Sequence, residues 1–205
     1  MLIMLVASMG LRVQAQEEAR AAWQVTRFDL SANVAVAGRT LDVRAILSAT
    51  NVGQGVGRTM TVRLNPLAEV KSASVGDASA TFRSRPEAKT NIQQVTLNLP
   101  GAINSGSSVS VTVDYRLSLA DNSALASISP HSSQFLPLSF WYPTPNTQFA
   151  LRGADTAPFR LTVNAAGGDA MIVSAGKSVK ASGSSAEYDQ TLNAQPFFSS
   201  ENGKP

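Results

Sequence analysis

Val109-Ser110-Val111-Thr112-Val113-Asp114-Tyr115-Arg116-Leu117-Ser118-Leu119 alternates strictly between apolar and polar side chains. Successive side chains of a strand point to opposite faces, so this period of two predicts a long strand with one face in a core and the other in water. The same pattern recurs outward in both directions. Phe28, Leu30, Ala32, Val34 and Val36 alternate with small or polar residues, Ala37-Gly38-Arg39 turns the chain, and Leu41, Val43, Ala45, Leu47 and Ala49 follow as a partner strand. Met60, Val62 and Leu64 predict a third strand ending at Pro66. A hairpin turned at Gly76-Asp77 follows, and then a strand over Val95, Leu97 and Leu99 stopped by Pro100-Gly101. Residues 120–133 read as loop. Phe159, Leu161 and Val163 resume the alternation, followed by Met171-Ile172-Val173, a Gly176-Lys177 turn, Ala186-Glu187-Tyr188 and Phe197-Phe198, with Lys180-Ala181-Ser182-Gly183-Ser184-Ser185 as a hairpin loop. Short strands at regular spacing without an amphipathic helix predict an all-β, antiparallel β-sandwich over residues 23–200.

The second informative stretch is Phe135-Leu136-Pro137-Leu138-Ser139-Phe140-Trp141-Tyr142-Pro143-Thr144-Pro145-Asn146. The chain has two Trp, three Tyr and eight Phe, and five of these rings (Phe135, Phe140, Trp141, Tyr142 and Phe149) lie within fifteen residues. Pro137, Pro143 and Pro145 each lack a backbone donor and push the preceding residue toward extended conformations, so the stretch cannot be a helix. It predicts a long connection with buried rings, placed for packing against a neighbour or for binding.

Composition excludes several functions. Charged residues are 15% of the 205, the net charge is +3, and the cations are scattered with no run and no interleaved aromatics. A nucleic-acid surface needs a stripe of Lys and Arg against successive phosphates, so no nucleic-acid partner is expected. Cysteine is absent, which removes disulfides, thiolate metal sites and cysteine nucleophiles. His131 is the single histidine and reads as a loop residue. One histidine builds neither an ordinary zinc site nor a His-Glu-x-x-His motif, and no Gly-x-Ser-x-Gly elbow accompanies Ser132 or Ser133. The glycine-rich residues 51–57 contain no Gly-Lys-Ser/Thr and so predict a turn, not a phosphate loop.

At the N-terminus, the apolar Leu2-Ile3-Met4-Leu5-Val6-Ala7-Ser8-Met9-Gly10-Leu11 is followed by Val13-Gln14-Ala15, small residues at the positions a signal peptidase reads. Residues 1–15 are therefore expected to be a signal peptide cut after Ala15, with an exported, periplasmic or extracellular product. The run is too short to span a bilayer, and no transmembrane segment is expected. Residues 16–22 read as a lead-in, and residues 201–205 as a C-terminal tail or the start of a missing downstream domain.

The order of these pieces resembles the N-terminal β-sandwich domain of M1-family zinc aminopeptidases. Phe28-Asp29-Leu30-Ser31-Ala32-Asn33-Val34 is similar to the family's opening strand, residues 63–70 to its strand-pair segment, and residues 109–115 to the strand written v-x-v-x-Y. Gln134-Phe135, Tyr142-Pro143 and Asp155-Thr156-Ala157-Pro158 are similar to its run of Gln, an aromatic-Pro step and an acidic-Pro turn. Ile172-Val173-Ser174-Ala175-Gly176-Lys177 is similar to its v-a-S-x-G-k turn. The resemblance implies that Gln134 lines the first substrate subsite. It also places a Glu or Gln two residues later for the substrate's α-amine. Leu136 stands there, and an aliphatic side chain accepts no hydrogen bond from an ammonium group, so either the match shifts at this point or ordinary amine recognition is gone.

The resemblance implies a non-catalytic accessory domain, with no cofactor of its own and zinc only in a downstream catalytic domain. It makes that M1-type catalytic domain the expected intramolecular partner, with peptide as a further partner. Phe135, Phe140, Trp141, Tyr142 and Phe149 are the expected interface. The alternative is a free-standing extracytoplasmic binding or adhesion module whose aromatic loop meets a sugar or peptide.

Overall fold

The computed structural model describes residues 20–87, 90, 92–145, 155–165 and 169–202. Strand β1 (Trp23–Ala35) and β2 (Thr40–Asn51) form the first hairpin, followed by β3 (Gly57–Leu64), β4 (Ala68–Val75), the two-residue β5 (Ala78–Ser79), β6 (Phe82–Glu87) and β7 (Ile92–Ile103). Next come β8 (Ser108–Ser118), β9 (Ala126–Ile128), β10 (Ser132–Phe135), a single 3-10 turn over Pro137–Ser139, and β11 (Thr144–Pro145). The chain continues as β12 (Ala157–Asn164), β13 (Ala170–Val173), β14 (Lys177–Ser182), β15 (Ser185–Ala194) and β16 (Phe198–Asn202). The expected all-β sandwich is what the chain forms.

The strands make one eight-stranded sheet in the order β14-β15-β12-β1-β2-β8-β4-β5 and two four-stranded sheets, β13-β16-β10-β9 and β11-β3-β7-β6. Pairing is antiparallel except between β1 and β12, which run parallel with Phe28 beside Phe159. In the large sheet the inward faces of β2 and β8 interlock, with Leu47 beside Val111 and Ala45 beside Val113. Met60, Val62, Leu64, Val95 and Leu97 close the core from the second sheet and are fully buried. The outward face of β2 and β8 carries cross-strand pairs instead: Arg116 donates to Asp42 at 2.7 and 2.9 Å, and Arg44 to Asp114 at 3.1 and 3.2 Å. Such exposed pairs fix polarity more than they stabilise.

Three expectations change, and β1 carries a feature its alternation does not announce. In β1, a bulge between Val25 and Arg27 shifts the register, so Trp23 and Val25 point inward on odd numbers while Phe28 to Val34 do so on even ones. Strand β7 does not stop at Pro100-Gly101 but reaches Ile103. Its partner β3 passes from Thr59 opposite Asn98 to Gly57 opposite Ile103, and Pro100 sits in this irregular step, where a missing N–H breaks no ladder bond. Residues 120–133 are not all loop. β9 and β10 hide there because Ser133 occupies a core-facing position, buried like Ser200 of the neighbouring β16, and the apolar signal is only Ala126, Ile128 and Phe135. Finally, the expected loop at 180–185 is mostly strand, turned tightly at Gly183-Ser184 with Gly183 at φ 56°.

Candidate functional site

The stretch after β10 leaves the sheet by rules its prolines impose. Leu136, before Pro137, is extended (φ −92°, ψ 156°), and Pro137 opens the 3-10 turn where its missing N–H is not needed. Phe140 closes the turn in the left-handed region (φ 52°, ψ 38°), donating its N–H to Pro137 O at 3.0 Å. A non-glycine residue there is strained and persists only when its surroundings fix it. The fixing groups are visible. Asn65 donates its N–H to Phe140 O at 2.8 Å and its Nδ2 to Ser139 O at 2.8 Å, and the Arg63 guanidinium lies 5.4 Å from the Phe140 ring centroid.

Beyond Phe140 the chain dives inward. Trp141 and Tyr142 meet edge to face at 5.5 Å, Trp141 meets Phe198 at 5.4 Å, Phe135 meets Phe198 at 5.3 Å, and Tyr142 meets Phe28 at 5.3 Å. Buried Trp and Tyr need partners for their polar atoms, and both have them. Trp141 Nε1 donates to Pro196 O at 3.2 Å, Tyr142 hydroxyl to Asp155 O at 3.0 Å, and Tyr115 hydroxyl to Trp141 O. The expectation that these rings form an interface is therefore corrected: Phe135, Trp141 and Tyr142 are 0% exposed and belong to the domain's own core. Phe140 stays half-buried at the surface. Phe149 lies outside the described residues.

Asp155, in the acidic-Pro turn, is buried beneath this cluster. Tyr142 takes its backbone carbonyl, its carboxyl Oδ2 has no hydrogen-bond partner, and burial raises its pKa to about 6 against the opposing pull of the Arg63 charge. Burial likewise raises the Tyr115 and Tyr142 hydroxyls well above the ordinary phenol range.

Gln134, on β10 between Ser127 and Ser199, is half-buried and donates Nε2 to Ala124 O at 2.8 Å. His131 is exposed in the turn before β10. Near Gln134 opens a cleft of about 450 Å³ whose lining includes Asn65, Leu67, Asp121, Leu125, Leu138 and Phe140. Three of these, Leu67, Leu125 and Leu138, are large exposed apolar side chains drawn from three separate segments. Sequence reading named Phe140 but missed the leucines, since each sits singly in a turn and only the fold brings them together. The donor set does not fit a zinc site: the chain has one histidine and no cysteine, and among the described residues no three His, Asp or Glu side chains converge. Among the described residues no helix is long and apolar enough to cross a membrane.

No family profile matches the sequence, and no curated protein is similar to it in sequence. Solved structures are similar in fold. The M1 zinc metallopeptidase from Deinococcus radiodurans superposes with a TM-score of 0.67 at 14% identity, covering 89% of this chain and 43% of that one. Leukotriene A4 hydrolase from Saccharomyces cerevisiae does so with a TM-score of 0.65 at 10% identity, covering 89% of this chain and 30% of that one. This chain thus spans less than half the length of the proteins it superposes on, and its fold is the β-sandwich found within M1 zinc metallopeptidases.

Proposed function

We propose that this chain is the non-catalytic N-terminal domain of an exported M1-like metallopeptidase, packing against a catalytic domain and helping to shape its substrate site. The observation that carries the reading is the fold likeness, which runs over nearly all of this chain but under half of the metallopeptidases compared. On this reading zinc and the general base belong to the partner domain, since the sequence has one histidine and no cysteine and no three His, Asp or Glu side chains converge among the described residues. Gln134 is the residue offered to a peptide substrate. With Nε2 spent on Ala124 O, its amide oxygen is the acceptor it can present. Leu136 offers the α-amine nothing, which suits an enzyme with altered amine recognition or an inactive relative.

A specific observation favours the second reading, a free-standing extracytoplasmic binding module. Its core is closed on itself, with Trp141 and Tyr142 satisfied internally instead of waiting for a neighbour. Sequencing the gene past codon 205 separates the two. Continuation into a helical region with His-Glu-x-x-His supports the accessory domain. A stop codon there, with a stable monomeric product, overturns it.

A further inference from the structure

The edges of the three sheets differ in what they offer to a further strand. An open edge carries a row of unpaired N–H and C=O groups on which another chain can pair. Among the described residues, β5 and β11 are edge strands of two residues and β9 is one of three, too short to hold a partner. β6 is longer but contains Pro86, with Arg83 and Arg85 exposed beside it. β13 is covered by the neighbouring hairpin: Ala170 N–H donates to Gly183 O at 3.4 Å, and the Tyr188 hydroxyl donates to Ile172 O.

β14 is the long edge that remains. Its six residues, Lys177–Ser182, pair with β15 on one side, and among the described residues no strand lies on the other. All six are exposed, so the strand lends nothing to the core and its outer edge is open along its length. Two features set it apart from a plain open edge. Ser178 opposes Tyr188 and Lys180 opposes Glu187, which leaves Val179 as an extra residue that bulges the strand. A bulge bends its strand and increases the local twist, so a straight strand laid alongside loses register there. Lys177 and Lys180 flank the bulge. The acids opposite them are engaged elsewhere, Asp189 with Arg27 at 3.5 Å and Glu187 with Arg160 at 3.2 Å, and among the described residues neither lysine is in an ion pair.

We infer that Lys177, Lys180 and the bulge at Val179 together keep a second copy of this chain from extending the eight-stranded sheet through β14. A six-residue strand spans about 20 Å, so pairing two such edges brings two lysines from each copy into that length, where salt screens them only in part. Like charges on paired strands repel and destabilise the pairing. Without the lysines the edge would present only Ser, Ala and Val179, which is 54% exposed, and nothing in the strand but its bulge would oppose a partner. The edge is the same whether the chain serves as an accessory domain or stands alone.

The test compares purified chains by gel filtration with light scattering, while amide hydrogen exchange at residues 177–182 locates any new contact. The variants are Lys177→Thr with Lys180→Thr, the same pair with Val179 deleted, and Lys177→Arg with Lys180→Arg. Because every altered position is exposed, each variant should keep the unaltered chain's far-ultraviolet spectrum and thermal midpoint. The threonine pair should self-associate about tenfold more tightly than the unaltered chain or better. Deleting Val179 should strengthen that association further, and in both cases protection at 177–182 should rise with concentration. The arginine pair, which keeps the charge, should behave as the unaltered chain does. If the deletion unfolds the chain, the threonine pair alone decides. Threonine variants that associate no more than the unaltered chain overturn the inference, as does association that leaves residues 177–182 unprotected. An unaltered chain whose protection at 177–182 already rises with concentration overturns it as well.

Discussion

Phe28 of the first strand and Tyr142 of the proline-rich stretch meet edge to face, ring centroids 5.3 Å apart and planes at 78°. This contact ties the stretch to the centre of the eight-stranded sheet, where Phe28 lies beside both Leu47 and Phe159. A segment rich in prolines and rings thus acts as a plug in the core. Trp141→Ala removes the largest member of the plug and leaves Pro196 O without its donor. It should destabilise the domain by about 3–5 kcal/mol, read as a lowered denaturant midpoint with an unchanged slope. A loss under about 1 kcal/mol would mean that the ring is not packed as described.

Val111→Asp tests the sheet itself. Val111 is fully buried between Leu47 and Val75, and a carboxylate there has no partner. The cost of an unpaired buried charge exceeds the few kcal/mol available to a domain of this size, so the variant should not fold. A soluble variant with the unaltered far-ultraviolet spectrum would contradict the register.

How much of this was legible in the sequence depended on how strongly each strand alternates. β2 and β8 could be read to within two residues because the inward positions from Leu41 to Ala49 and from Val109 to Leu117 are all aliphatic or Tyr115, and the outward ones between them are polar except Ile46. β9 and β10 could not, because Ser133 points inward and breaks the apolar signal. The bulge in β1 was invisible because it changes the phase of the alternation without changing its composition. At the site, the sequence announced prolines and buried rings but not that the domain's own core buries them. Trp141 and Tyr142 turn inward because Phe140 takes a left-handed conformation that no pattern predicts, and the cleft leucines are brought together only by tertiary packing.

Asp155 predicts an unusual pH response. Its folded pKa is raised from the ordinary 3.8 to about 6, so its charged form is the disfavoured one in the folded state. The resulting cost is fully present above pH 6 and is relieved as pH falls from 6 toward 4, because the folded protein takes up the proton first. Acidification through that window should therefore stabilise the domain, by up to about 3 kcal/mol from this group. Asp155→Asn should flatten the dependence and raise the midpoint at pH 7. Identical pH profiles for the two proteins would show that Asp155 titrates normally.

Export is tested directly by mass. The apolar run ending at Val13-Gln14-Ala15 predicts that secreted material begins at Gln16. A cytosolic product that keeps Met1 would refute the expected leader.

The last prediction concerns metal and catalysis. With one histidine, no cysteine and no convergent trio of ligands among the described residues, the purified chain should hold no stoichiometric zinc and should release no product from amino-acid amides. Gln134 and the cleft beside it offer hydrogen bonds and apolar contact, neither of which cleaves an amide without an activated water. Elemental analysis after dialysis, run beside an aminopeptidase assay with and without added zinc, checks both halves at once. The expected outcome is a background rate in each case, unchanged by Gln134→Ala. Should the chain instead retain one zinc per molecule, ligands must come from residues not brought together here, and the accessory-domain reading would give way to that of a metalloprotein in its own right.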